Sequence, residues 1–98
     1  MDILVKDLKA MDRLAISTKN SEYQFQVINP AQCRGILRGG ACGEEQYEAV
    51  LTGTRTQNEP ARLSNKLETG MCALFYITAR QGQKLLTTSV ITRLVLAR

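Results

Sequence analysis

The chain contains no histidine and no tryptophan. The lack of histidine excludes Ser-His-Asp and Cys-His catalysis and the usual zinc sites that include an imidazole ligand. Cysteine is scarce as well: Cys33, Cys42 and Cys72 are an odd number and show no C-x-x-C spacing. We therefore expect no disulfide framework and a reducing, cytoplasmic setting.

Long apolar stretches are also missing, since no run approaches the ~20 residues that a transmembrane helix needs. We therefore expect no membrane span and no secretory signal. The chain of 98 residues has 44% hydrophobic and 22% charged residues. These values are ordinary for a globular protein and exclude a disordered chain, a collagen-like repeat and a coiled coil. The length predicts one domain over residues 1–98.

Acidic side chains are absent from the C-terminal part of the chain. The net charge is +4, and the segment after Glu68 carries four basic and no acidic residues. Such a segment can attract phosphate or an acidic partner surface. It is equally compatible with a solvated surface that keeps a small domain soluble.

Residues 1–11 are the only segment with helical periodicity. Leu4, Leu8 and Met11 recur at spacings of four and three, which places them on one face of a helix. Asp2 near the start and Lys9 near the end suit the helix dipole. The sequence therefore predicts a short N-terminal helical segment.

From residue 14 onward the hydrophobic period changes to two. Residues 14–18 alternate, and residues 22–27 alternate most clearly, with Tyr23, Phe25 and Val27 on one face. Lys19, Asn20 and Ser21 separate the two runs and form a turn, so these runs predict an antiparallel β-hairpin whose aromatic face is buried.

Four further segments predict strands: residues 33–38, 47–54, 71–79 and 84–96. The strand over 71–79 is apolar on both faces and is expected in the centre, with Phe75 or Tyr76 against Phe25. The last segment is long, which indicates a bend near Ser89. The glycine-rich residues 39–46 predict an exposed loop that holds Cys42. Together these segments predict an all-β fold, a small barrel or strongly bent antiparallel sheet of about six strands.

Two short segments carry a resemblance. The first hairpin contains Ile16, Thr18, Asn20, Ser21 and Tyr23 in the pattern I-x-T-x-N-S-x-Y, and Thr88-Ser89-Val90-Ile91 is similar to a terminal-strand pattern T-S-x-V. The chain thereby resembles, over about a quarter of its length, short bacterial proteins with small β-barrels and no assigned biochemical role. The resemblance implies a small β-barrel and a bacterial source, and it implies no functional residues.

Enzyme chemistry has little support in the residues present. Glu44, Glu45 and Glu48 cluster beside one loop but lack the pattern of a calcium site. The glycines of the same loop lack the spacing of a phosphate-binding P-loop. We therefore expect no enzyme, no catalytic residue, no metal site and no cofactor.

Basic residues give a nucleic-acid hypothesis. Spacing places Arg34 and Arg38 on one face of a strand, and Arg80 and Lys84 flank one turn. With Arg93, these five residues are the candidate nucleic-acid contacts. Most aromatic residues are expected in the core, which leaves no stacking platform for bases and weakens this hypothesis.

The sequence favours a small non-enzymatic binding or assembly module whose ligand it does not identify. A homo-oligomer formed through a strand edge or through the N-terminal segment is one partner that the sequence allows. Nucleic acid is the alternative partner and is not favoured, and no membrane partner is expected.

Overall fold

Strands account for most of the structure. The computed structural model describes residues 2–56, 63–80 and 82–97. In chain order the strands are β1 (Asp2–Leu4), β2 (Arg13–Thr18), β3 (Glu22–Asn29), β4 (Arg34–Gly39), β5 (Gln46–Arg55), β6 (Leu63–Ser64), β7 (Lys66–Glu68), β8 (Cys72–Ala79) and β9 (Gly82–Ala97). The helical segments are three 3-10 turns, Val5–Asp7, Pro30–Gln32 and Gly40–Cys42, and none of the helices within the described residues could span a bilayer.

Six strands close an antiparallel barrel, which confirms the predicted fold class. The order of hydrogen-bonded neighbours is β4-β3-β2-β9-β8-β5, and β4 also pairs with β5. Each barrel strand therefore has two partners, and closure removes the free edges that an open sheet would expose. The small strand β6 adds to β5, and β1 pairs with β7 outside the barrel.

The barrel interior follows the predicted alternation. Tyr23, Phe25 and Val27 are 4%, 1% and 0% exposed, while their neighbours on β3 face outward. The rings of Phe25 and Phe75 lie 5.3 Å apart and tilted, a favourable geometry for aromatic packing. The prediction that Phe75 or Tyr76 packs against Phe25 is thus met by Phe75, and Tyr76 points outward with 45% of its surface exposed.

The predicted short N-terminal helical segment is present as a single 3-10 turn, Val5–Asp7, and it is a minor element that follows strand β1. Ile3 pairs with Leu67 in the β1–β7 ladder, and the Val5 amide donates to the Asn65 carbonyl at 3.0 Å. Met11, which the helical pattern placed with Leu8, is 63% exposed. A helix this short is marginal in water, whereas strand pairing satisfies the backbone and lets the segment complete the core.

The long strand β9 is bulged, as its length predicted. Against β8 the register moves from Leu74–Thr87 to Cys72–Val90, which inserts one extra residue into β9 around Ser89. A second shift occurs against β2, where Ser17 pairs with Arg93 but Thr18 pairs with Ile91. Bulges bend a strand, and here they allow β9 to pair with both β8 and β2.

Cys42 is buried, so its predicted exposed position was wrong. The 3-10 turn Gly40–Cys42 brings the side chain into the core cluster, where 7% of it is exposed. This burial raises the pKa of the Cys42 thiol above its ordinary 9.0, and burial likewise raises the pKa of the half-buried Cys33. All three cysteines are free, which agrees with the absence of a disulfide framework.

Candidate binding groove

A groove of about 520 Å³ crosses the outer face of the barrel. It runs over β9, β2, β3, β4 and β5, and the two buried residues Leu14 and Phe25 contribute to its base. The outward residues that line it, which we call the groove residues, are Arg13, Ala15, Gln24, Gln26, Ile36, Arg38, Gln46, Val95 and Ala97.

Strand register orders these side chains into rows. In one row Val95, Ala15, Gln24, Arg38 and Gln46 are successive cross-strand neighbours. Side chains that are direct cross-strand neighbours lie about 4.5–5.5 Å apart and interact. Because Ala15 has a small side chain in the middle of this row, it leaves a depression between Gln24 and Val95.

The parallel row contains Ala97, Arg13, Gln26 and Ile36, in that order across the strands, and it continues on β5 to Glu48, the cross-strand neighbour of Ile36. The two rows together combine an apolar floor with amide side chains and two guanidinium groups. Arg13 and Arg38 lie two strands and one row apart, which sheet geometry converts to roughly 12 Å between their Cα atoms.

The electrostatics of the groove are one-sided. Its lining includes no acidic side chain from the described part of the chain, and Glu48, which stands at its edge opposite Ile36, is paired with Arg34. The guanidinium groups of Arg13 and Arg38 have no carboxylate or other hydrogen-bond partner among the described residues. Both side chains are exposed, so they are available to an anionic group of a ligand.

Of the five basic residues predicted from the sequence, only Arg38 lies in the groove. Arg34 instead forms an ion pair with Glu48 on the neighbouring strand, and its Nε is buried without a hydrogen-bond partner. Arg34 is therefore already neutralised within the protein. Sequence spacing placed Arg34 and Arg38 correctly on one face of β4 but gave no indication of this pairing.

The other three predicted residues lie on different parts of the surface. Arg93 faces outward opposite Ser17, two residues before Val95, and therefore adjoins the groove. Arg80 is exposed in the turn after β8. Lys84 is the cross-strand neighbour of the core residue Ile77, so it lies on the inward face of β9. It is nevertheless exposed, which places it at the rim of the barrel.

Aromatic side chains do not contribute stacking surfaces to the groove. Phe25 lies beneath it but is 1% exposed. Tyr76 is the exposed aromatic residue and lies between Val50 and Leu85 on the outer face of β5, β8 and β9. This small apolar patch is separate from the groove residues.

Two carboxylates of the acidic cluster, those of Glu45 and Glu48, are engaged by other side chains of the protein. The Tyr47 hydroxyl donates to Glu45 Oε2 at 2.7 Å, and this hydrogen bond raises the pKa of Tyr47. Glu48 is held by Arg34. In the part of the chain that the structure describes, no group of three cysteine or carboxylate side chains is arranged to hold a metal ion.

Sequence reasoning missed most of the groove residues. Gln24 and Gln26 were correctly placed on the outer face of β3, but uncharged amides on a solvated face gave no reason to select them. Arg13 and Gln46 stand at strand ends, and only the pairing of five strands brings them together. Comparison of the chain with protein-family models, with curated proteins and with solved structures gives no match.

Proposed function

We propose that the protein is a small non-enzymatic binding module whose outer groove holds an extended acidic segment of a partner protein. The observation that carries this proposal is the pair of guanidinium groups, Arg13 and Arg38, which have no partner among the described residues and lie in a groove whose described lining residues include no carboxylate. Charge-assisted hydrogen bonds to such groups are the strongest polar contacts that an exposed groove can offer.

The amides and the apolar floor favour a peptide chain. Gln24, Gln26 and Gln46 each provide a donor and an acceptor, which match the alternating N–H and C=O groups of an extended backbone. Ala15 and Val95 leave room for small apolar side chains between the polar contacts. The acidic side chains of the segment would then reach the two arginines.

Nucleic acid is the less favoured occupant of the same surface. Single-stranded nucleic acids bind through a basic groove together with aromatic side chains on which the bases stack. The groove residues include no exposed aromatic side chain, and Arg34 is paired with Glu48. An oligonucleotide is therefore the comparison ligand in the test.

The cytoplasmic setting and the homo-oligomer remain part of the proposal. The three free thiols are the form that a reducing compartment maintains. The barrel strands are paired on both sides, so among the described residues the unpaired strand edges belong to β1, β6 and β7. Association of two copies would use one of these edges, and sedimentation at increasing protein concentration measures it.

The test is a titration followed by fluorescence anisotropy. The probe is a labelled ten-residue peptide of alternating glutamate and valine, with an alternating lysine and valine peptide and a ten-nucleotide oligothymidine as comparison ligands. We expect the acidic peptide to bind and its affinity to fall with added salt, because exposed charges are screened. Tighter binding of the oligonucleotide than of the acidic peptide would overturn the proposal.

Variants locate the binding to the groove. Arg38→Gln and Arg13→Gln should each lower the affinity for the acidic peptide by about 3–10-fold, in line with the loss of one charged hydrogen bond. Lys66→Gln removes the same charge from the exposed face of β7, outside the groove, and should change the affinity less than twofold. Equal effects of all three variants would show attraction by net charge alone and would contradict a specific groove.

A further inference from the structure

A second cavity lies on the other side of β9, at its bulge. It has a volume of about 550 Å³ and is lined by Lys19, Asn20, Arg55, Cys72, Thr87 and Ser89, with Thr88 and Val90 completing its wall. We call it the bulge pocket. Its size falls within the ~300–1,000 Å³ typical of small-molecule sites.

The bulge explains why a cavity forms here. Thr88 lies just before the extra residue and is buried, and its hydroxyl accepts a hydrogen bond from the Ala73 amide at 2.9 Å and donates to the Ser89 carbonyl. The pairing of β8 then resumes at Cys72–Val90. The two hydroxyl side chains on either side of the buried Thr88, Thr87 and Ser89, remain at the pocket surface.

The turn between β2 and β3 forms the opposite wall. The Lys19 amide donates to the Val90 carbonyl at 2.9 Å, and Asn20 Nδ2 donates to Ser89 Oγ at 2.8 Å. These contacts join the two segments that carried the sequence resemblance, Asn20-Ser21 and Thr88-Ser89. They hold the turn in a fixed position beside the bulge.

Two cations flank the pocket. Arg55, on β5, is the cross-strand neighbour of Cys72, and its Nη2 lies 3.5 Å from Thr87 Oγ1. Lys19 lies on the opposite wall of the pocket. Within residues 2–56, 63–80 and 82–97, no carboxylate lines the pocket and neither cation has an ion-pair partner. Two unpaired cations with hydroxyl and amide donors between them form a donor set suited to phosphate oxygens.

We propose that the bulge pocket binds a phosphorylated small molecule. Arg55 and Lys19 neutralise its phosphate groups from opposite sides, and Thr87 and Ser89 donate to the oxygens between them. The two cations lie three strand intervals apart, roughly 14 Å between backbones, a span that a ligand held between two long basic side chains can bridge. A diphosphate can therefore engage both cations at once.

The test is a titration with pyrophosphate, followed by two-dimensional ¹H–¹⁵N NMR at constant ionic strength maintained with sodium chloride. We expect the amide signals of Lys19, Asn20, Ser89 and Val90 to shift in a saturable manner, while those of the groove residues Gln24 and Arg38 stay in place. This pattern separates the bulge pocket from the groove, so either site can fail without the other.

Three variants complete the experiment. Arg55→Gln and Lys19→Gln should each weaken pyrophosphate binding at least fivefold, with native spectra showing that both variants are folded. Lys84→Gln removes the same charge from the opposite face of β9 and should leave the affinity within twofold. The proposal is overturned if the pocket signals do not shift, or if Lys84→Gln weakens binding as much as Arg55→Gln does.

Discussion

Replacement of Phe25 by alanine tests the packing of the barrel. Phe25 is 1% exposed and its ring lies 5.3 Å from that of Phe75, which is fully buried. Truncation of a buried phenylalanine costs about 3–5 kcal/mol, because transfer free energy is lost and a cavity remains. The tilted ring pair adds about 0.5–1.5 kcal/mol to ordinary burial, so we expect about 4 kcal/mol in total.

That loss is a large part of the ~5–15 kcal/mol by which a domain of this size is stable. Urea denaturation followed by circular dichroism measures it. With a slope of about 1–2 kcal/mol per molar urea, the unfolding midpoint should fall by roughly 2–4 M. If Phe25→Ala does not fold, Phe25→Leu should still fold and lose about 1–2 kcal/mol.

The matched control is Ile28→Ala on the same strand, where the side chain is 51% exposed. This change should alter the free energy of unfolding by no more than about 0.5 kcal/mol. A loss below about 1 kcal/mol for Phe25→Ala would refute the packing, since it would mean that β3 presents its other face to the core.

Three further predictions address other parts of the molecule. Gly35→Ala should unfold the protein or lower its melting temperature by more than 10 °C, because the added methyl group would lie 2.0 Å from a backbone oxygen of β3. At neutral pH a thiol reagent should modify the half-buried Cys33 faster than the buried Cys42, because the reagent reaches Cys33 more easily. Burial raises the pKa of the Cys42 thiol, and a raised folded-state pKa favours the protonated form. This contribution to stability is therefore complete below pH 9 and is lost as the pH rises further. Mass spectrometry of the modified peptides checks the order of modification, and melting curves check the loss at high pH. Glu48→Gln should remove the ion pair of Arg34 and strengthen binding of the acidic peptide two- to fivefold in the anisotropy titration. An unchanged affinity would show that Arg34 lies outside the reach of the ligand.

The strand pattern of the barrel was predictable because hydrophobic alternation reports burial directly. Tyr23, Phe25 and Val27 are all buried, and a strand with a period of two places the three side chains on the same buried face of β3. The bend near Ser89 was predicted from the length of the segment 84–96, and β9 pairs with β8 on one side of the bulge and with β2 beyond it. These predictions depend on local sequence and on packing rules that hold for most sheets.

The N-terminal segment and Cys42 could not be predicted in the same way. Leu4 and Leu8 fit a helical face, but the pairing of β1 with β7 limits the helical part to one 3-10 turn. The turn that buries Cys42 depends on Gly39 and Gly40, whose positive φ angles bring the chain back over Tyr23. Both outcomes arise from contacts between segments distant in sequence.

The groove was the least predictable feature. Its residues come from five strands, and their order depends on the register of every pair. The pairing of Arg34 with Glu48 joins residues 14 apart and removes one predicted cation. Charge counts along the sequence identify basic residues, but only the closed barrel shows which of them lack a partner.

The most direct test of the groove as the binding surface is NMR mapping with the acidic peptide. Amide signals should shift along both rows of the groove, at Ala15, Gln24, Ile36 and Arg38, and should saturate with a single affinity. Signals of Tyr76 and Leu85, on the apolar patch of the opposite face, should stay in place. Shifts confined to Tyr76 and Leu85, or an unchanged spectrum at saturating peptide, would contradict the proposed function.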